Sequence, residues 1–188
     1  MSNYIISNGE LYNADELMHY GVKGMKWGVT NRREYKVAKR FAKMGRRQGQ
    51  ADYYRKTGDA AYKKHDENAR VLEKTAKQWE SKGSHIKAQL ARKSAEAIRA
   101  RGENIRSANY ATAGKYQNKA DKLESKANKY ASKKKVNLGK KTLDTVLNDS
   151  RSKGYERTAK AADYQREENL KNKMGASNYD RYRKIRGR

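Results

Sequence analysis

Residues 115–131 read KYQNKADKLESKANKYA, and the fold turns on this stretch. Tyr116, Ala120, Leu123, Ala127 and Tyr130 recur at alternating steps of four and three, the spacing that returns to one face of a helix every two turns. The residues between them are Lys, Asn, Asp, Glu, Gln and Ser, so the stretch predicts an amphipathic helix with a heptad-like seam. The seam is thin, because Ala and Tyr stand where a strong coiled coil would carry Leu or Ile. A second stripe of the same kind runs Leu72, Ala76, Trp79, Gly83, Ile86 and Leu90.

Outward from these stripes, residues 34 to about 135 keep the letters of helix: Ala, Lys, Arg, Glu and Gln, with no proline in the chain to force a break. Gly58, Gly83, Gly102 and Gly114 each cost a helix interior about 1 kcal/mol relative to Ala. Ser81-Lys82-Gly83-Ser84 reads as a C-cap followed by a new N-cap, and one long rod and a folded-back hairpin both remain open. Apolar spacing returns at Val136, Leu138, Leu143, Val146 and Leu147, a break is expected from Ser150 to Gly154, and a last helical piece runs from Tyr155 to about Met174. The basic stretch from Gly175 to Arg188 reads as disordered or partner-bound.

The front of the chain is different. Ser7-Asn8-Gly9 marks a turn in an extended or irregular lead, Asn13 is a candidate N-cap for a helical patch over Ala14 to Met18, and His19 to Val29 is a glycine-rich loop or bound peptide. The expected fold is all-α: elongated helices or helical hairpins with heptad-like seams, an irregular N-terminal segment and a basic C-terminal tail. Its divisions are a docking segment over 1–33, a long basic helical region over 34–135, further helices over 136–174 and the tail over 175–188.

Composition limits what such a chain does. Apolar residues make up 35% and charged residues 36%, against roughly 45–50% and 25% in ordinary globular domains, so a thick single core is not expected. Lys and Arg number 46 against 21 Asp and Glu, a formal charge of +25, far beyond the magnitude of about 2 to 8 that solubility needs. Such an excess repels itself in a compact monomer unless an anion is supplied. There is no cysteine, which removes disulfides, thiolate metal sites and cysteine nucleophiles together. No apolar run approaches the ~20 residues of a membrane span, and the first residues lack the form of a signal peptide.

Catalysis is not expected. His19, His65 and His85 stand in separate contexts with no second histidine or carboxylate at ligand spacing. Gly21, Gly24 and Gly28 match neither the phosphate-binding loop nor the dinucleotide fingerprint. Neither a cofactor nor a metal is expected.

The informative chemistry is cationic. Candidate nucleic-acid contacts are Arg32, Arg33, Arg46, Arg47, Lys63, Lys64, Lys133, Lys134, Lys135, Lys140, Lys141, Arg186 and Arg188; each that neutralises a phosphate releases condensed counterions, giving salt-sensitive affinity without sequence reading. Tyr53, Tyr54, Tyr110, Tyr116, Tyr130, Tyr179 and Tyr182 either stack on exposed bases or pack along the seams; the positions of Tyr116 and Tyr130 favour packing.

The segment from Glu16 to Val29, which includes HYGVKGMKWGV over residues 19–29, resembles a short motif found in otherwise dissimilar proteins of tailed bacteriophages and prophages, among them head-morphogenesis and other virion-associated polypeptides. The chain departs from that pattern at Thr30-Asn31, with Arg32-Arg33 arriving two residues late. The resemblance implies a virion context: a capsid-interior protein, present in the host cytoplasm during assembly, whose partners are a capsid or other head protein and DNA. It implies neither a fold nor an activity. Tyr20, Met25 and Trp27 are large apolar anchors, Lys23 and Lys26 add charge, and Gly21, Gly24 and Gly28 let the backbone lie close to a receptor. These eight residues are the candidate docking element. The alternative function is a host-directed, histone-like nucleic-acid-binding protein, which would act without the N-terminal segment. Self-association through the helical seams is a further expected partner relation.

Overall fold

The computed structural model describes residues 4–7, 10–13 and 29–185. Two short strands, β1 (Tyr4–Ser7) and β2 (Glu10–Asn13), pair antiparallel with Tyr4 opposite Asn13 and Ser7 opposite Glu10. Among the described residues four helices follow: α1 (Val29–Ser81), α2 (His85–Lys134), α3 (Lys140–Met174) and α4 (Ala176–Ile185). The chain is all-α apart from the leading hairpin. At 1.5 Å per residue α1 is about 80 Å long and α2 about 75 Å.

The long basic region is a hairpin rather than one rod. Gly83 takes a positive φ of 72°, which a residue without Cβ accepts freely. Around it the Trp79 carbonyl accepts from Ser84 N–H at 2.8 Å and the Glu80 carbonyl accepts from Gly83 N–H at 2.9 Å. The stripe from Leu72 to Leu90 therefore does not continue as a seam. Ala76 is fully buried, but Ile86 and Leu90, beyond the turn, are 85% and 66% exposed.

The working seam is made of small residues seven apart. On α2 it runs Ala88, Ala95, Gly102, then Ala113, Ala120, Ala127, all buried; on α1 Ala51, Gly58, Ala69 and Ala76 are buried. Small side chains bring the antiparallel backbones close: a Cβ at Gly102 would stand 2.8 Å from His65 Cβ, and one at Gly58 would stand 3.0 Å from Asn109 Cβ. The stripe from Tyr116 to Tyr130 holds as expected, with Ala120 and Ala127 buried and Tyr116, Leu123 and Tyr130 half-buried beside them.

A larger core forms only at the base of the hairpin. Val37, Phe41 and Met44 of α1 meet Ala120, Ala127, Leu123 and Tyr130 of α2, Val136 and Leu138 of the connection, and Leu143, Val146 and Leu147 of α3. Burying a side chain such as Phe41 contributes roughly 1.5–3 kcal/mol, which the alanine seam above it does not match position for position. The connection is set by Lys135, which takes the left-handed conformation at φ 51° while Val136 N–H donates to the Ala131 carbonyl at 3.0 Å, the bonding that closes a helix C-terminus.

The structure corrects three expectations. The break from Ser150 to Gly154 does not occur, because α3 runs continuously through it and Ser150, Gly154 and Thr158 form its buried stripe against α1. The tail is not irregular: α4 spans Ala176–Ile185 and packs on α3, with Tyr179 buried and stacked on Tyr182 at 6.4 Å. The N-terminal segment is not irregular throughout, since it contains the β1–β2 pair and α1 takes its last five residues from Val29. The helical patch at Ala14 to Met18 and the stretch from His19 to Gly28 lie outside the described residues. No helix among the described residues is long and apolar enough to cross a membrane.

Candidate nucleic-acid interface

Electrostatics divide the hairpin into an internal and an outward set. Asp52, Asp59, Asp66, Glu73 and Glu80 lie seven apart along α1, and Arg92, Arg99 and Arg106 lie seven apart along α2; a seven-residue step drifts only about 20° around a helix, so each set keeps to one edge. They meet as a ladder. Arg99 Nε donates to Asp66 at 3.0 Å and its Nη2 to Glu73 at 3.1 Å, Arg106 Nε donates to Asp59 at 3.0 Å, and Arg92 bridges to Glu80. Asp52 is taken by Arg151 of α3, whose Nη2 donates at 3.0 Å, and Tyr110 OH also donates to Asp59 at 3.0 Å.

The hydrogen bond from Arg99 is the main cause that lowers the Asp66 and Glu73 carboxyls below their ordinary values, and the same contacts, Glu73 first, raise Arg99. Exposed pairs of this kind add little stability one at a time and weaken with salt. Their effect is on register: a slip of α2 along α1 would part acids from arginines at several rungs together.

The ladder spends these α1 carboxylates on contacts between helices. Outward on α2 runs a row of lysines. Lys115, Lys119, Lys122, Lys126, Lys129 and Lys133 alternate steps of four and three on α2, all exposed, on the side away from buried Ala113, Ala120 and Ala127. The stripe extends about 27 Å along the helix. Sequence reasoning missed it, although the Lys spacing in residues 115–131 carried the signal; it likewise missed the acidic heptad.

Of the residues expected to contact nucleic acid, Arg46 and Arg47 come together with Lys43 of α1 and Arg157 of α3 around a groove of about 420 Å³, whose other lining residues are Gln50, Leu123 and Gly154. Lys133, Lys134 and Lys135 end α2, and Lys140 and Lys141 open α3 five residues later, so these five gather at the base where α1 begins with Arg33 exposed. Arg32 lies in the first turns of α1. Lys63 and Lys64 are exposed but stand apart, about 25 Å along α1 from Arg46. Arg186 and Arg188 lie outside the described residues, as do Tyr20 to Gly28.

The tyrosines pack. Tyr54 stacks on Tyr116 at 5.6 Å, Tyr53 meets Tyr155 edge-on at 5.5 Å, and Arg40 lies over the Tyr130 ring at 4.3 Å. Burial, with Tyr116 and Tyr53 nearby, raises the Tyr54 hydroxyl above its ordinary pKa. No group of three or more His, Asp or Glu placed to hold a metal ion occurs among the described residues, and His65 packs against Gly102.

One family, described as a family of unknown function (DUF7211), matches residues 12–34. The match encloses Glu16 to Val29 and ends within the first turns of α1. No curated protein and no solved structure matches the chain.

Proposed function

We propose that this chain is a non-enzymatic structural or cargo protein of a phage virion, lying along packaged DNA through its basic helical hairpin and docked to a capsid or other head protein through Tyr20 to Gly28. The observation that carries the DNA-binding part is the separation of charge: Asp52, Asp59, Asp66, Glu73 and Glu80 of α1 are paired with Arg92, Arg99, Arg106 and Arg151, while the lysines from Lys115 to Lys133 face outward. Duplex DNA carries one charge per ~1.7 Å of axis, so a 27 Å lysine stripe meets many phosphates in any sequence. No base-reading element is proposed, and binding is to the backbone alone.

Docking rests on the resemblance of residues 16–29 to the phage motif and on a family match confined to residues 12–34, a segment recognised apart from the body after it. A short peptide that orders on binding loses about 1 kcal/mol or more per residue. Its anchors Tyr20, Met25 and Trp27 must then be buried in the receptor.

Two measurements test the reading. Affinity for random duplex DNA is followed from low to moderate salt; a slope of log K near −0.9 per phosphate contact is expected, and a flat response ends the electrostatic account. Residues 1–33 fused to a fluorescent carrier are then compared with the Trp27→Ala fusion and the bare carrier for recovery in purified heads. Equal recovery of the three removes docking, and DNA compaction by residues 34–188 alone would favour the histone-like alternative.

A further inference from the structure

Among the described residues, two of the grooves between α1, α2 and α3 differ in charge balance. The larger, of about 540 Å³, is lined by Asp52, Asp59, Arg55, Lys56 and Arg151 with Tyr155 and others, so its cations face carboxylates. The other, of about 420 Å³, is lined by Lys43, Arg46, Arg47 and Arg157 and by no carboxylate at all. Lys43, Arg46, Arg47 and Gln50 fall at i, i+3, i+4 and i+7, one face of α1. Arg157 follows Gly154 by three on α3, and Gly154 is where the two backbones touch: a Cβ there would stand 2.3 Å from the Arg46 carbonyl oxygen. The crossing therefore brings Arg157 to the α1 cations, with Leu123 of α2 completing the wall.

Arg47 is held in place, donating to Gln50 Oε1 at 2.7 Å and lying 5.8 Å from the centre of the Tyr116 ring. Lys43, Arg46 and Arg157 form no ion pair among the described residues. Four converging cations repel one another, and an anion relieves that repulsion. Three planar guanidinium forks and one ammonium suit tetrahedral oxyanions, which arginine bonds through paired N–H donors.

We propose that this groove is a discrete phosphate-binding site taking two or three linked phosphates, either a stretch of nucleic-acid backbone or a free polyphosphate. Only the choice of nucleic acid as the natural ligand rests on the function proposed above. The test is calorimetric titration of the full chain with tripolyphosphate at moderate salt, alongside R46Q/R157Q and a control, K74Q/K93Q, that removes the same charge from exposed lysines outside both the groove and the lysine stripe. Arg47 is left intact because it packs on Tyr116.

One site per chain is expected. Affinity should fall on the order of tenfold or more in R46Q/R157Q, as loss of charge-assisted hydrogen bonds implies, and little in K74Q/K93Q. Equal losses in the two double variants, or many weak sites, overturn the proposal. A second arm with random duplex DNA separates the two readings. Duplex binding without any special loss in R46Q/R157Q, together with equal tripolyphosphate losses, discards the groove and keeps the DNA reading. Groove-dependent tripolyphosphate binding with no duplex binding assigns the site to free polyphosphate and discards the DNA reading.

Discussion

Replacing Gly49 with Ala tests how α3 is held. A Cβ at Gly49 would stand 1.9 Å from the Arg151 carbonyl oxygen and 2.8 Å from Tyr155 N, where ordinary contact begins near 3.4 Å. Both obstacles are backbone, so no side chain swings aside. Clearing them requires α3 to retreat by about 1.5 Å, and a gap of even 0.5–1 Å forfeits a quarter to a half of a dispersion contact. The retreat also disturbs Gly45 against Leu147 and Ser150, and the Tyr53–Tyr155 and Asp52–Arg151 contacts. Overpacking of this kind costs roughly 1–3 kcal/mol, while Ala in place of Gly gains about 1 kcal/mol of helix propensity.

The net is a loss of up to about 2 kcal/mol, or at most roughly 4–8 °C in Tm for a chain of this size. Gly114→Ala is the control. A Cβ there meets nothing within 4 Å, so only the propensity gain applies and Tm should rise by about 2–4 °C. Thermal unfolding of the full chain followed by circular dichroism reads both. If Gly49→Ala stabilises as much as Gly114→Ala, the backbone contact between α1 and α3 is refuted.

Single contacts set the remaining expectations. Lys135→Gly should stabilise by about 1 kcal/mol, because Lys135 sits at φ 51°, where a Cβ is strained and glycine is not; unchanged denaturant midpoints would argue against that strain. Ala120→Leu, at a fully buried seam position, should destabilise by roughly 1–3 kcal/mol, whereas the same change at exposed Ala111 should be nearly silent; equal denaturant midpoints for the two variants would remove Ala120 from the seam. Acid should weaken the ladder. The Asp66 and Glu73 carboxyls are lowered from 3.8 and 4.5, so the unfolded chain takes up these protons first as pH falls. Their contribution is complete above those values and lost as pH drops through the lower folded ones. Tm measured between pH 6 and pH 2 should decline at the acid end, less steeply for Arg99→Gln, and equal declines would remove the ladder from the account.

Local spacing and composition were enough to establish part of this fold. The four-three recurrence of Tyr116, Ala120, Leu123, Ala127 and Tyr130 specified an amphipathic helix, and the structure buries that face. Ser81-Lys82-Gly83-Ser84 marked the place where the chain could reverse, but the choice between rod and hairpin needed the fold, because it depends on whether Ala and Gly at 51, 58, 69 and 76 find the small residues of α2 opposite them. The excess of cations was legible as a total, yet its arrangement was not. Asp52 to Glu80 recur at sevens in the sequence, but only pairing with arginines on another helix turns them from a scatter of acids into a ladder that leaves the lysines outward. Arg157 gives no local sign of belonging with Arg46. Gly154 read as a break for the same reason, since glycine weakens an isolated helix and its use here, letting α3 press on the Arg46 backbone across more than a hundred residues of chain, exists only once both helices are in place.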